Sequence, residues 1–182
     1  MGERKYAIFG AIGPLAAYFF ICVSIALSPW FSWRENALSD LGHAIRSSVA
    51  PIFNFGLLLA GFLVAMYSIT ALRKHAKYTS CCLLVSAFAL QLVAVFDEVY
   101  GFLHYVVSVL FFVSLVFASV LYSAEKRSLP ALMALVVGLG SWIVYWAEVY
   151  NTGVAVPEAL SSAAATSWIA SSALKIYFSK RS

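Results

Sequence analysis

The chain has 182 residues, 63% of them hydrophobic and only 11% charged, with a net charge of +4 and a mean hydropathy of +0.89. A soluble domain carries about a quarter charged residues, so this composition excludes a secreted or cytosolic globular enzyme, a disordered tail and a disulfide miniprotein. It requires a multi-pass integral protein of a cell membrane.

A helix crossing the ~30 Å hydrocarbon core needs about 20 mostly apolar residues, and six stretches meet that length. The first, 6–29, follows Arg4 and Lys5. Its apolar part outruns the ~7–15 residues of a signal-peptide core, so it reads as a span. Residues 30–49 form the one long connection. Within it Asn36, Asp40, His43 and Ser47 share one helical face, while Leu38, Leu41, Ile45 and Val49 form the opposite stripe. The spacing predicts a short interfacial helix with Asn36 as its N-cap. The functional reading of the same segment folds Ser39, Asp40 and His43 over the bundle mouth.

The second span, 50–72, runs into Arg73-Lys74-His75, and the third, 79–96, ends at Asp97-Glu98. Gly101 permits a turn and His104 opens the fourth span, 102–123, so the hairpin brings acid and imidazole to one level. A carboxylate–His pair can move protons or hold a metal, zinc being the ion that accepts mixed His and carboxylate ligands. His104, His43 and Asp97 are the candidate ligands; Asp97, Glu98, His104, Asp40, His43, Ser39 and Glu148 are the candidate catalytic groups. Glu148 follows the fifth span, 129–147, and shares a helical face with Ser141 and Tyr145, while Trp142 and Trp146 suit an aromatic belt. The sixth span, 156–178, opens on Pro157-Glu158, which is ordinary helix-start chemistry. Its many Ser and Ala residues favour close helix packing, whereas the Phe-, Val- and Leu-rich fourth span suits a lipid-facing position.

Lys and Arg stay on the cytoplasmic side. Six crossings place Arg4, Lys5, Arg73, Lys74, Lys77, Lys126, Arg127, Lys175, Lys180 and Arg181 on one face and only Arg34 and Arg46 on the other. Both termini are therefore expected in the cytoplasm, with most acids outside. The basic balance reflects membrane topology, not nucleic acid, and no nucleotide-binding glycine loop occurs. Cys22, Cys81 and Cys82 lie in or at the cytoplasmic ends of spans, which suggests no disulfide framework. The expected architecture is an all-α, six-helix antiparallel bundle forming a single transmembrane domain over 1–182.

The stretch Asn36-Ala37-Leu38-Ser39-Asp40-Leu41-Gly42, followed by Phe53-Asn54-Phe55-Gly56-Leu57 and Gly61, resembles an uncharacterised prokaryotic membrane family, domain of unknown function 998. That resemblance implies six spans and a His opening the fourth before aromatic residues, here His104 and Phe111-Phe112. Members often carry Pro near the end of the third span, where this chain has Asp97 and Glu98. A fainter likeness, in residue types alone, links Ser39, Asp40, His43 and His104 to seven-span intramembrane hydrolases such as alkaline ceramidases and adiponectin-type receptors. Three functions stay open. One is a lipid-modifying, metal-assisted hydrolase acting at the outer leaflet. The second is a small cation or solute transporter or channel subunit, with Gln91, Ser108, Ser114, Ser141 and Thr166 along its path. The third is a non-enzymatic scaffold. Membrane lipids are the expected partners, and a protein partner or a homo-oligomer is compatible with the small-residue faces.

Overall fold

The computed structural model describes residues 3–179; Lys180 and Arg181, two of the basic anchors, lie outside the described residues. Apolar runs without internal alternation satisfy their backbone within the segment, as lipid requires, and six long helices result. These are α1 (Phe9–Ala26), α2 (Ala50–Tyr67), α3 (Lys77–Val95), α4 (Phe102–Lys126), α5 (Leu129–Trp146) and α6 (Ala155–Phe178). A π-helical turn, Ser68–Leu72, and a final turn, Arg73–His75, continue α2. The connection after α3 turns at Gly101, whose φ of +51° suits a residue without Cβ. Five of the helical stretches are long and apolar enough to cross a membrane; α6 matches them in length, with 24 residues, but is the Ser- and Ala-rich one.

Short links make consecutive helices antiparallel neighbours. Each long helix packs on the next in chain order and α6 returns to α1, so the six form a closed ring. Arg4, Lys5, Arg73, Lys74, Lys77, Lys126, Arg127 and Lys175 fall at one end of this ring, and Asp40, Asp97, Glu98, Glu148 and Glu158 at the other.

Helices in lipid are held by packing and interhelical hydrogen bonds more than by the hydrophobic effect. The half of the bundle nearer the basic end is filled accordingly. Trp168 of α6 is 0% exposed; its Nε1 donates to Ser119 Oγ of α4 at 3.0 Å, and its ring stacks on Tyr122 at 4.9 Å. The Tyr67 hydroxyl bridges α2 to Ser172 of α6 at 2.8 Å. Most other serines bond back to their own helix, as Ser161 does to the Pro157 carbonyl at 2.6 Å.

The peripheral helix is α5, not the fourth span as composition suggested. It buries only Ala131 and Ala134. By contrast α4 turns Val107, Ser114, Leu115, Ala118, Ser119 and Tyr122 inward. Its small residues and its aromatic partner for Trp168 outweigh its average apolarity.

Candidate functional site

The acidic end is roofed by the 30–49 connection. No interfacial helix forms there; the regular part is a five-residue 3-10 turn, Leu38–Gly42. The predicted stripe is kept at Leu38, Leu41 and Val49, which are buried, but Ile45 is 80% exposed. Tertiary anchors decide the geometry. Gly153 N donates to Trp33 O and Ala155 N to Asn36 O, both at 2.9 Å, tying the roof to the start of α6. Asn54 Nδ2 of α2 donates to Gly42 O at 2.9 Å. Approach is so close that a Cβ on Gly153 would meet Asn36 O at 2.5 Å, and one on Gly42 would meet Asn54 Oδ1 at 2.5 Å. Asn36 is no N-cap here. Its Oδ1 accepts from Ser32 N and its Nδ2 donates to Asp40 Oδ2, each at 2.9 Å. Asp40 takes the capping role, its Oδ2 also accepting from Ala37 N at 2.9 Å.

Three carboxyls converge under this roof. Ser39 Oγ donates to Glu98 Oε1 at 2.5 Å, and the carboxyls of Glu98 and Asp40 lie close enough to act on each other. Burial, joined by the hydrogen bond and charge of Asp40, pushes Glu98 up to about 7 against the opposing pull of Ser39 and Arg46. For Asp40 burial works in the same upward direction, but bonds from Glu98, Asn36 and Ala37 N and the charge of His43 outweigh it and hold the group low. The pair is thus split, with Glu98 the carboxyl that holds a proton more readily and Asp40 the one that gives it up. The third is Glu158 of α6. Its Oε2 accepts from Leu38 N at 2.7 Å, and among the described residues Oε1 makes no hydrogen bond.

Beneath the carboxyls lies a cavity inside the ring, in which the centre of a water-sized sphere has about 120 Å³ to move. Ser39, Glu158, Tyr18 and Ser162 line its acidic end, and Val64, Leu83, Leu115 and Ile169 its deep end, while α5 contributes nothing. The Tyr18 hydroxyl is 2.7 Å from Ser162 Oγ and donates to Ala159 O at 3.0 Å. Tyr67, Tyr122 and Trp168 belong to the same buried cluster as the deep-end residues Val64, Leu83, Leu115 and Ile169. From Glu158 to Ile169 is eleven helical residues, ~16 Å at 1.5 Å each. Were it spread evenly over that length, the volume would give a radius of about 1.5 Å for the sphere's centre, or about 3 Å with the sphere's own ~1.4 Å added, against ~2 Å for an alkyl chain.

Residues 11–175 match a family described as protein of unknown function (DUF998). The chain belongs to that family. No curated protein and no solved structure matches it.

The roof of this DUF998 protein carries the segment that pointed to the family, Asn36–Gly42, and brings Ser39, Asp40 and Glu98 together. The other candidates stand apart. His104 donates from Nδ1 to Phe96 O, the end of α3, at 2.8 Å, with Ser108 Oγ 3.3 Å from its Nε2. His43 turns Nδ1 back onto Ile45 N and Arg46 N, both at 3.3 Å. Buried Asp97 caps the Glu98–Tyr100 turn by accepting from Val99 N at 2.8 Å. Each of the three proposed metal ligands therefore has a local partner, and among the described residues no three His, Cys, Asp or Glu side chains gather as a metal-holding group. Glu148 is exposed at the end of α5, with φ +53°. The comparison with ceramidase- and adiponectin-receptor-type hydrolases gains no support from this arrangement. Along the supposed transport path, Ser108 and Thr166 line the cavity, but Ser114 and Ser141 bond to their own helices.

Glu158 and Tyr18 were not singled out from sequence. Glu158 reads as a dipole partner, since acids commonly sit in first turns. The missed signal was phase: Glu158, Ser162, Ala165, Thr166 and Ile169 follow one another at helical spacing and all face the cavity.

Proposed function

We propose that this DUF998 protein takes a lipid-class amphiphile into its bundle, with the tail between the helices and the head at the carboxyls. One observation carries the reading: a chain-wide apolar cavity ending at Ser39, Tyr18, Ser162 and Glu158. Binding sites for small molecules have this form, mostly apolar with a few placed polar groups. The filled half of the bundle toward the basic end, with Tyr67 and Tyr122 in it, favours holding over conduction. All six helices cross the bilayer in this proposal. The basic end faces the cytoplasm, where Lys and Arg are retained, and the acidic roof lies at the opposite leaflet.

A second reading, lipid hydrolysis, is favoured by one contact. Ser39 reaches the cavity while bonded to Glu98, a carboxyl that titrates near neutrality, as a general base for a hydroxyl nucleophile should. Mass spectrometry of lipids retained through purification tests both readings. Wild type should carry a stoichiometric amphiphile that Ala165→Phe, which fills the cavity, does not. Ser39→Ala should keep the amphiphile and abolish any turnover. Equal lipid content in wild type and Ala165→Phe would refute the binding site.

A further inference from the structure

We infer that the ligand held in the cavity carries a protonated amine head, and that Glu158 selects it. The inference rests on the amphiphile reading and adds the charge of the head. Glu158 has one carboxyl oxygen fixed by the Leu38 amide and a second with no hydrogen-bond partner among the described residues, in a side chain that lines the cavity. The charged groups acting on it are Glu98 and Asp40, both of its own sign. Of the basic groups of the roof, Arg46 acts on Glu98 and His43 turns Nδ1 onto Ile45 N and Arg46 N; neither they nor Arg34 are among the charges acting on Glu158. Ionised, a carboxyl bordering an apolar space is costly unless paired, so what would hold Glu158 charged is a hydrogen-bond donor with positive charge. An ammonium supplies both, with three donors. One meets the open oxygen of Glu158, and the acceptors beside it are the hydroxyl oxygens of Tyr18 and Ser162. A carboxylate or phosphate head would meet like charge, and an alcohol would offer a single neutral donor.

The passage length suits a tail of about a dozen carbons, so the probes are dodecylamine, dodecanol and dodecanoate. Each is titrated into the purified protein in phosphatidylcholine nanodiscs, and occupancy is followed by native mass spectrometry. Wild type should prefer the amine over the alcohol by about tenfold, the value of a charge-assisted hydrogen bond over a neutral one, and should bind dodecanoate least. Glu158→Gln should bring amine and alcohol within about threefold while dodecanol still binds. Wild type that binds alcohol or dodecanoate as well as amine overturns the inference, as does a Gln variant that keeps the amine preference. Failure of all three probes on wild type removes the amphiphile reading as well. If Glu158→Gln does not fold, the wild-type ranking of the three probes decides alone.

Discussion

Replacing Asp40 with Asn tests the split pair of carboxyls under the roof. Burial is the largest cause that raises Glu98, and Asp40 adds to it twice, by hydrogen bond and by charge. With Glu98 at about 7, about nine-tenths of it is protonated at pH 6; at its ordinary 4.5 the fraction would be about 3%. In Asp40→Asn the charge and the carboxylate acceptor go while burial stays, so the midpoint should fall part of the way toward 4.5. The protonated-carboxyl band in infrared difference spectra reports this directly once assigned by its loss in Glu98→Gln. The band at pH 6 should drop to less than half its wild-type amplitude. Equal amplitude in wild type and Asp40→Asn would refute the pair, leaving burial as the sole cause, and no band at pH 6 in wild type would refute the raised carboxyl itself.

The same groups give stability a pH dependence of known sign. Glu98, raised in the fold, stabilises below about 4.5 and loses that contribution as pH climbs to about 7. Asp40, lowered in the fold, acts oppositely, its contribution vanishing in acid. Thermal unfolding in detergent should therefore show a midpoint decline between pH 5 and pH 8 that Glu98→Gln flattens. Trp168→Ala should cost about 3–5 kcal/mol in reversible SDS unfolding, the range for emptying a large buried aromatic site; a loss under ~1 kcal/mol would mean that Trp168 is not packed as described. Gly42→Ala forces a methyl against Asn54 Oδ1 at 2.5 Å and Phe53 Cδ1 at 2.8 Å, and should cost about 1–3 kcal/mol by the same assay.

The spans were readable because hydropathy over some 20 residues has few competing explanations in lipid. The expected stretch 102–123 lies within Phe102–Lys126, and 129–147 ends one residue past Trp146. The roof was not readable. Its 3.6-residue pattern was real at Leu38, Leu41 and Val49, yet the backbone bonds from Gly153 and Ala155 and the Asn54 contact come from 12 to more than 100 residues away and override a local helix. The hairpin acid–imidazole pair failed for a simpler reason: a carbonyl freed at the end of α3, Phe96 O, lies nearer to His104 than any carboxylate. Ser39, Asp40 and Glu98 stood out as candidates because polar residues near the ends of apolar helices are few, and the structure brings these three together. That Glu158 would join them depended on the ring closing between α6 and α1, which composition does not encode.

The aromatic layer formed by Tyr67, Tyr122 and Trp168 takes one ring from each of the three pairs of consecutive helices. With its stack and its two hydroxyl contacts it works as a clasp, since the three pairs cannot drift apart without breaking it.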